Sequence, residues 1–301
     1  MDWFRIPVGE WFDTGLDWAK DNLAIVFDGL DTGFDWMVTS LTDVLLWIPA
    51  LVLIAVFALI GWALRSWQLA VGTVISFLLI LGMDVWVSAM QTFALVLVAA
   101  LIAIVIAVPL GILMARNSAA RAVLRPVLDF MQTMPAYVYL IPAIIFFGIG
   151  VVPGVVATII FSLPPGVRFT ELGIRGVDAE RVEAGQAFGA TPGQILRGIQ
   201  LPLAAPTIMG GINQVIMLSL SMAVIAGIAG ADGLGKDVVA AISTLNVPMG
   251  VEAGLGVVIL AIFLDRVTSA LGPPAEHPHS LRAIVARRRS ARAELVARSA
   301  S

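Results

Sequence analysis

Long apolar stretches alternate with short, arginine-bearing polar connections along most of this chain. A membrane-crossing helix needs about 20 predominantly apolar residues. Seven segments meet that pattern, near 45–64, 67–83, 90–115, 133–150, 151–167, 203–228 and 252–271. Pro142, Pro153 and the Pro164-Pro165 pair interrupt the fourth and fifth, so the fourth reads either as a full crossing or as a broken, re-entrant helix. Pro109, inside the third, is tolerable where neighbouring helices satisfy the carbonyls it releases. The N-terminal pattern differs. Phe12, Leu16, Ala19, Leu23, Val26, Leu30, Phe34, Met37, Leu41 and Leu45 recur every three or four residues, while Asp13, Asp17, Asp21, Asp28, Asp31 and Asp35 occupy the other face. This predicts an acidic amphipathic arm of one or two helices over 1–43, lying on the outer bilayer surface or against the core.

One polar segment between apolar stretches carries unusually dense helix punctuation. Asp178 is placed to cap a helix from Ala179 to about Phe188, and Gly189 supplies the left-handed stop just beyond. A second helix restarts with Thr191 as cap, Pro192 at its first position and Gln194 completing a capping box. The expectation is two short helices joined by a tight elbow. Val182, Gly185, Phe188 and Gly189 share one face of the first helix, a small-residue face with one aromatic at its edge that suits docking into a partner's groove. An amphipathic turn lying on the bilayer is the competing reading.

Composition agrees with the membrane reading, since 59% hydrophobic residues, 13% charged residues and a mean hydropathy of +0.96 do not describe a water-soluble globule of 301 residues. The net charge of -3 averages two unlike faces. When alternate connections are assigned to opposite sides, 15 of the 18 Lys and Arg residues fall on one side and only Arg5, Lys20 and Lys236 on the other. The positive-inside rule then puts the elbow and the C-terminus in the cytoplasm and the N-terminus outside. All eight tryptophans lie within the first 86 residues, and Trp47, Trp62, Trp67 and Trp86 fall near predicted span ends, as interface anchors do. Cysteine is absent, which excludes disulfides and thiolate metal sites. No basic n-region followed by an apolar h-region marks a cleavable signal peptide near Met1.

The elbow segment EAGQAFGATPGQILRGIQLP resembles the EAA loop of binding-protein-dependent ABC importer permeases: Glu183, Ala184, Gly185, Gly189, Ile199, Leu201 and Pro202 fall at the spacings of that motif. Gly185 stands where the pattern has a second alanine, a small-for-small change. The segments Gln132 to Gly150, Gln200 to Gly235 and Ile259 to Thr268 look like the glycine betaine/proline betaine/choline branch. The resemblance covers about Asp84 to Leu271. It implies an all-α polytopic membrane protein with a type I (MetI-like) importer permease core over 85–272. Two accessory membrane helices over 44–84 and a basic cytoplasmic tail over 273–301 complete the expected organisation. It further implies a quaternary ammonium cargo, a permease homodimer, a cytoplasmic ABC ATPase pair docked on Glu183, Ala184, Gly185, Phe188, Gly189, Ile199, Leu201 and Pro202, and an external substrate-binding protein. ATP and magnesium then belong to the ATPase, and nucleic acid is not an expected partner. A permease for another small solute such as an amino acid would share the same loop.

Polar residues inside spans are costly in lipid and usually face a bundle interior or a water-filled path. Asn213, Met217 and Ser221 repeat every four residues in the sixth span, with Gln214 beside them. Two readings stand: this stripe lines the translocation path, or it bonds neighbouring helices. Gly210-Gly211, Gly227 and Gly230 read as close-packing positions, and Asp265-Arg266 as a juxtamembrane ion pair. No phosphate loop is present, because Gly233-Leu234-Gly235-Lys236 lacks the upstream glycine of that motif. His277 and His279 stand in a proline-flanked stretch and read as solvated rather than metal-binding. An ion-gradient-driven transporter would show paired repeats and an ionisable residue near the midplane of a span. Neither feature is found in the sequence. The basic tail LRAIVARRRSARAELVAR is either a short helix attracted to anionic lipid or a solvated tail.

Overall fold

The computed structural model describes residues 7–270, and these are almost entirely helical, with no strand among them. The helices are α1 (Val8–Trp47), α2 (Ala50–Leu64), α3 (Trp67–Gly82), α4 (Trp86–Arg116), α5 (Ser118–Thr133), α6 (Leu140–Phe147), α7 (Val151–Arg175), α8 (Ala179–Ala187), α9 (Pro192–Ile195), α10 (Leu201–Ala226), α11 (Leu234–Thr244) and α12 (Val247–Ser269). The basic tail, with His277 and His279, lies outside the described residues.

Four helical stretches are long and apolar enough to cross a membrane alone, and two bent pairs raise the number to six. The seven spans read from the sequence are therefore revised. The first is not one helix: α1 and α2 meet at 105°. Ile48 before Pro49 is forced into the extended region, at φ −75° and ψ 128°, and the helix must end there. Met134-Pro135 does the same between α5 and α6, which meet at 110°. Pro142 and Pro153, which the sequence reading took as interruptions, instead occupy the first turns of α6 and α7, where a missing N–H costs nothing. The Pro164-Pro165 pair does not end the fifth span either. Both rings are buried, and α7 continues through them to Arg175. Helix α3, with 16 residues, is apolar but short.

The N-terminal arm forms one long helix with a kink at Leu23 (φ −116°, ψ 15°). It runs past residue 43 to Trp47, and its C-terminal part belongs to the core: Val38, Thr42 and Leu45 are buried. Phe27 stacks on Phe146 of α6 at 4.2 Å between ring centroids.

The centre of the molecule is α4, α7 and α10, packed closely at small residues. A Cβ added at Gly166 would stand 2.8 Å from Ala107 Cβ and 2.9 Å from Val215 Cγ2, so this glycine is where all three helices meet. Gly211 lies equally close to Phe169, and Gly227 abuts the Gly235 backbone, which agrees with the close-packing role read from the sequence for both. Thr92 on α4 ties in α11 by accepting the Leu234 N–H at 2.8 Å. The accessory helices join through an aromatic cluster in which Phe57 (α2) lies 5.2 Å from each of Phe77 (α3), Phe93 (α4) and Phe263 (α12). Trp86 meets Phe77 edge-on and is 8% exposed, so it is a core residue and not an interface anchor. Trp47 and Trp67 are exposed, as anchors require.

Candidate coupling elbow and membrane path

The capping residues named from the sequence make the predicted bonds. The Asp178 carboxylate accepts from the Glu180 N–H at 3.0 Å and opens α8. The helix closes with Gly189 at φ +77°, the Gly189 N–H donating to Gln186 O at 2.8 Å and the Ala190 N–H to Gly185 O at 3.1 Å. This bond pair is a Schellman motif and satisfies the last carbonyls. The capping box is complete: the Thr191 N–H donates to Gln194 Oε1 at 2.7 Å, and the Gln194 N–H reaches Thr191 Oγ1 at 3.4 Å.

The second helix of the elbow is not a short separate element. Helix α9 passes through one wide turn, 196–200, directly into α10, where the Leu201 N–H bonds Leu196 O five residues back. Pro202 explains the wide turn. Its ring would collide with the carbonyl four residues earlier, and the extra residue relieves the collision while the helix continues. Ile199, Leu201 and Pro202 thus form the joint between elbow and membrane helix.

Gly185 serves that joint and not the outer face. A Cβ there would lie 2.6 Å from Ile199 Cδ1 and 3.5 Å from Ile195 Cγ1, so α8 rests on the α9–α10 turn through its glycine. The single docking face drawn from the sequence is accordingly divided: Gly185 packs inward, while Phe188 is 93% exposed. No residue of α8 is buried, and Glu183 and Ala184 share its open surface.

The polar stripe of α10 is also divided. Asn213 Nδ2 donates to Asp265 Oδ1 of α12 at 3.0 Å, and the Thr268 hydroxyl donates to Asn213 Oδ1 at 2.5 Å. Helix-to-helix bonding is therefore the geometry of Asn213. Asp265 faces this network, and Arg266 Nε is a distant 3.9 Å from its second oxygen. Gln214 and Ser221 are exposed on the side of α10 away from its partners, Met217 is half-buried between, and the Ser221 hydroxyl bonds its own helix at Met217 O.

Two ionic contacts near the elbow end escaped the sequence reading. Arg121 of α5 pairs with Glu171 of α7 at 2.7 Å, with the Glu171 residue 9% exposed, and Arg168 pairs with Asp129. Arg121, Arg125 and Asp129 recur every four residues on α5, as do Arg168, Glu171 and Arg175 at three and four on α7. That spacing was a usable signal once the two helices were known to face each other.

A bundle of apolar helices around α4, α7 and α10, with an exposed capped elbow leading into α10, defines a multi-pass helical membrane protein. Residues 107–273 match the family model of the binding-protein-dependent transport system inner membrane component, and the chain belongs to that family. It is 48% identical over 267 residues to the glycine betaine/proline betaine transport system permease protein ProW of Escherichia coli (strain K12), covering 89% of this chain and 75% of that one. It is 48% identical over 264 residues to the glycine betaine transport system permease protein OpuAB of Bacillus subtilis (strain 168), covering 88% of this chain and 94% of that one. A chain in inward facing conformations of the MetNI methionine ABC transporter shares the fold, with a TM-score of 0.57 and 22% identity over 62% of this chain and 95% of that chain.

Proposed function

We propose that this chain is the membrane permease subunit of an ATP-driven importer for glycine betaine and related quaternary ammonium solutes. The relatives named for glycine betaine transport match most of the chain at nearly half identity, which supports the cargo class. The chain itself hydrolyses nothing. Two copies enclose the path, a pair of cytoplasmic ABC ATPases carries the ATP and magnesium, and an external binding protein delivers cargo. The arginine distribution supports an orientation with the elbow and C-terminus in the cytoplasm and the N-terminus outside.

The observation that carries this reading is α8, a capped nine-residue helix with no buried residue and an almost fully exposed Phe188 at its end. An aromatic held out by a rigid turn fits a groove on a partner protein. Movement of the docked ATPase then acts on α10, whose exposed Gln214 and Ser221, with the half-buried Met217 between them, line the path where two copies meet. Asn213 holds α10 to α12 beside it.

The test is co-purification of an ABC ATPase from the same cells, together with uptake of radiolabelled glycine betaine. Phe188→Asp should abolish both at unchanged expression, because the side chain touches nothing whose loss would unfold the protein. Retention of the ATPase by the variant would remove the elbow as the coupling surface. Normal coupling without glycine betaine uptake would overturn the cargo alone.

A further inference from the structure

A cavity of 360 Å³ opens between α3 and α12, away from both the elbow and the polar stripe of α10. One end is cationic: Arg65, from the α2–α3 connection, and Arg266, from the last turns of α12, both line it, with the Gln68 amide beside them. The rest of the wall is mainly apolar, with Leu69, Ile259, Ile262 and Phe263, and it also carries Ser66, Thr73 and Ser76, of which the Thr73 and Ser76 hydroxyls bond carbonyls of their own helix. Among the described residues no carboxylate lies within 4.0 Å of Arg65, and Asp265, the nearest to Arg266, is engaged with Asn213. Two guanidiniums thus line one cavity, Arg65 with no acidic partner among the described residues and Arg266 with only a long 3.9 Å contact to Asp265 Oδ2.

The surroundings show where an occupant comes from. Val71, Ile75, Leu78 and Leu79 on α3, and Leu255, Val258 and Ile262 on α12, are exposed large apolar residues, so the flanking faces are those of lipid-contacting helices. Helix α3 is also short: 16 residues rise about 24 Å, against about 30 Å of hydrocarbon. A short helix draws the Arg65 end toward the acyl region, where a guanidinium needs a counter-ion. Water alone serves poorly there.

We infer that this cavity binds one anionic glycerophospholipid per protomer, its phosphate held between Arg65 and Arg266 and an acyl chain lying along Gly72, Ile262 and Phe263. Arginine suits the headgroup because its planar fork pairs with phosphate oxygens in two parallel bonds. The mainly apolar wall suits the chain better than it suits a free phosphate. The lipid fills the seam between an accessory helix and the last core helix, and so joins the two parts where the protein's own contacts are few.

The test uses the full-length chain purified in neutral detergent and native mass spectrometry of bound phosphatidylglycerol and phosphatidylcholine. The wild type should retain one phosphatidylglycerol in preference to phosphatidylcholine, and Arg65→Gln/Arg266→Gln should lower that preference by about tenfold or more. A second variant separates amphiphile from anion. A Cβ at Gly72 meets nothing within 4 Å, so Gly72→Leu folds and fills the groove. It should displace phosphatidylglycerol with both arginines intact. Equal retention of the two lipids by the wild type, or undiminished phosphatidylglycerol in either variant, overturns the proposal. Binding of glycerol phosphate that is equally tight and insensitive to Gly72→Leu would reassign the site to a small soluble anion. Loss of a dimer in place of lipid in the arginine variant would assign the face to a second copy.

Discussion

Removing the amide of Asn213 tests how α10 is held. In Asn213→Leu, Asp265 loses the one close side-chain donor it has from another helix among the described residues, and the Thr268 hydroxyl turns its single proton to Leu264 O, 2.7 Å away. Hydrogen bonds between membrane helices average about 0.6 kcal/mol and reach about 1.7 kcal/mol. A bond to an ionised carboxylate is about twice a neutral one, and Asp265 is only half-buried, which sets a limit from solvent screening. The expected coupling between Asn213 and Asp265 is therefore about 1 to 2 kcal/mol. The assay is a double-mutant cycle of Asn213→Leu and Asp265→Leu, read by reversible unfolding in mixed detergent and SDS micelles. Each single variant should be clearly destabilised, and the double variant less so than the sum, since no charged oxygen is then left without a donor. A coupling below about 0.3 kcal/mol would refute the bond as a stabilising contact. A doubly apolar variant as stable as wild type but unable to take up glycine betaine would show that Asn213 acts on cargo and not on α12.

Three further outcomes follow from the same geometry. Ser221→Trp, at an exposed position on α10 with only a local hydrogen bond, should leave stability within about 0.5 kcal/mol of wild type and abolish uptake; normal uptake would exclude this face from the path. Gly185→Val should force α8 off Ile199 and weaken ATPase co-purification although Phe188 is untouched; unchanged co-purification would show that the α8–α10 joint does not orient the aromatic. Arg121→Leu should destabilise by about 1 to 3 kcal/mol, less than for a fully buried pair because Arg121 is partly exposed, and Arg121→Leu/Glu171→Leu should recover much of the loss in thermal unfolding in micelles. No recovery in the double variant would show that packing, and not the orphaned carboxylate, sets the cost.

Local backbone chemistry was the most legible part of this sequence. Asp178, Gly189, Thr191, Pro192 and Gln194 determine caps through atoms within a few residues, so their bonds follow from spacing alone. Span ends were less legible because proline has opposite effects by position. Pro135 and Pro49 end helices by constraining the residue before them, whereas Pro142 and Pro153 fall in first turns and Pro164-Pro165 is overridden by burial on all sides. Which of these holds depends on neighbours that a linear pattern does not contain. The same limit applies to side-chain direction: Gly185 turned inward toward Ile199, Asn213 turned toward Asp265, and Trp86 entered the core beside Phe77, each decided by packing against another element and, for Asn213, by a helix distant in sequence.

The elbow joins α10 without a flexible residue between them. From Thr191 the chain is capped, enters α9, widens once at 196–200, and continues to Ala226. On its other side the Schellman turn fixes the angle of α8, and Gly185 against Ile199 holds that angle by contact. A force applied at Phe188 therefore reaches α10 as a displacement of a rigid body and is not absorbed by loop motion. Helix α10 rests mainly on α7, across glycine contacts at Gly166, Gly173 and Gly211 that bring the two helices close and leave little room for the facing side chains to repack. Such backbone-close interfaces slide or shift together and do not deform gradually. In the proposed importer this makes the α7–α10 pair the moving unit. The Asn213 bonds to α12 are then the contact that must either travel with it or break, which is why the coupling energy between Asn213 and Asp265 bears on transport as well as on stability.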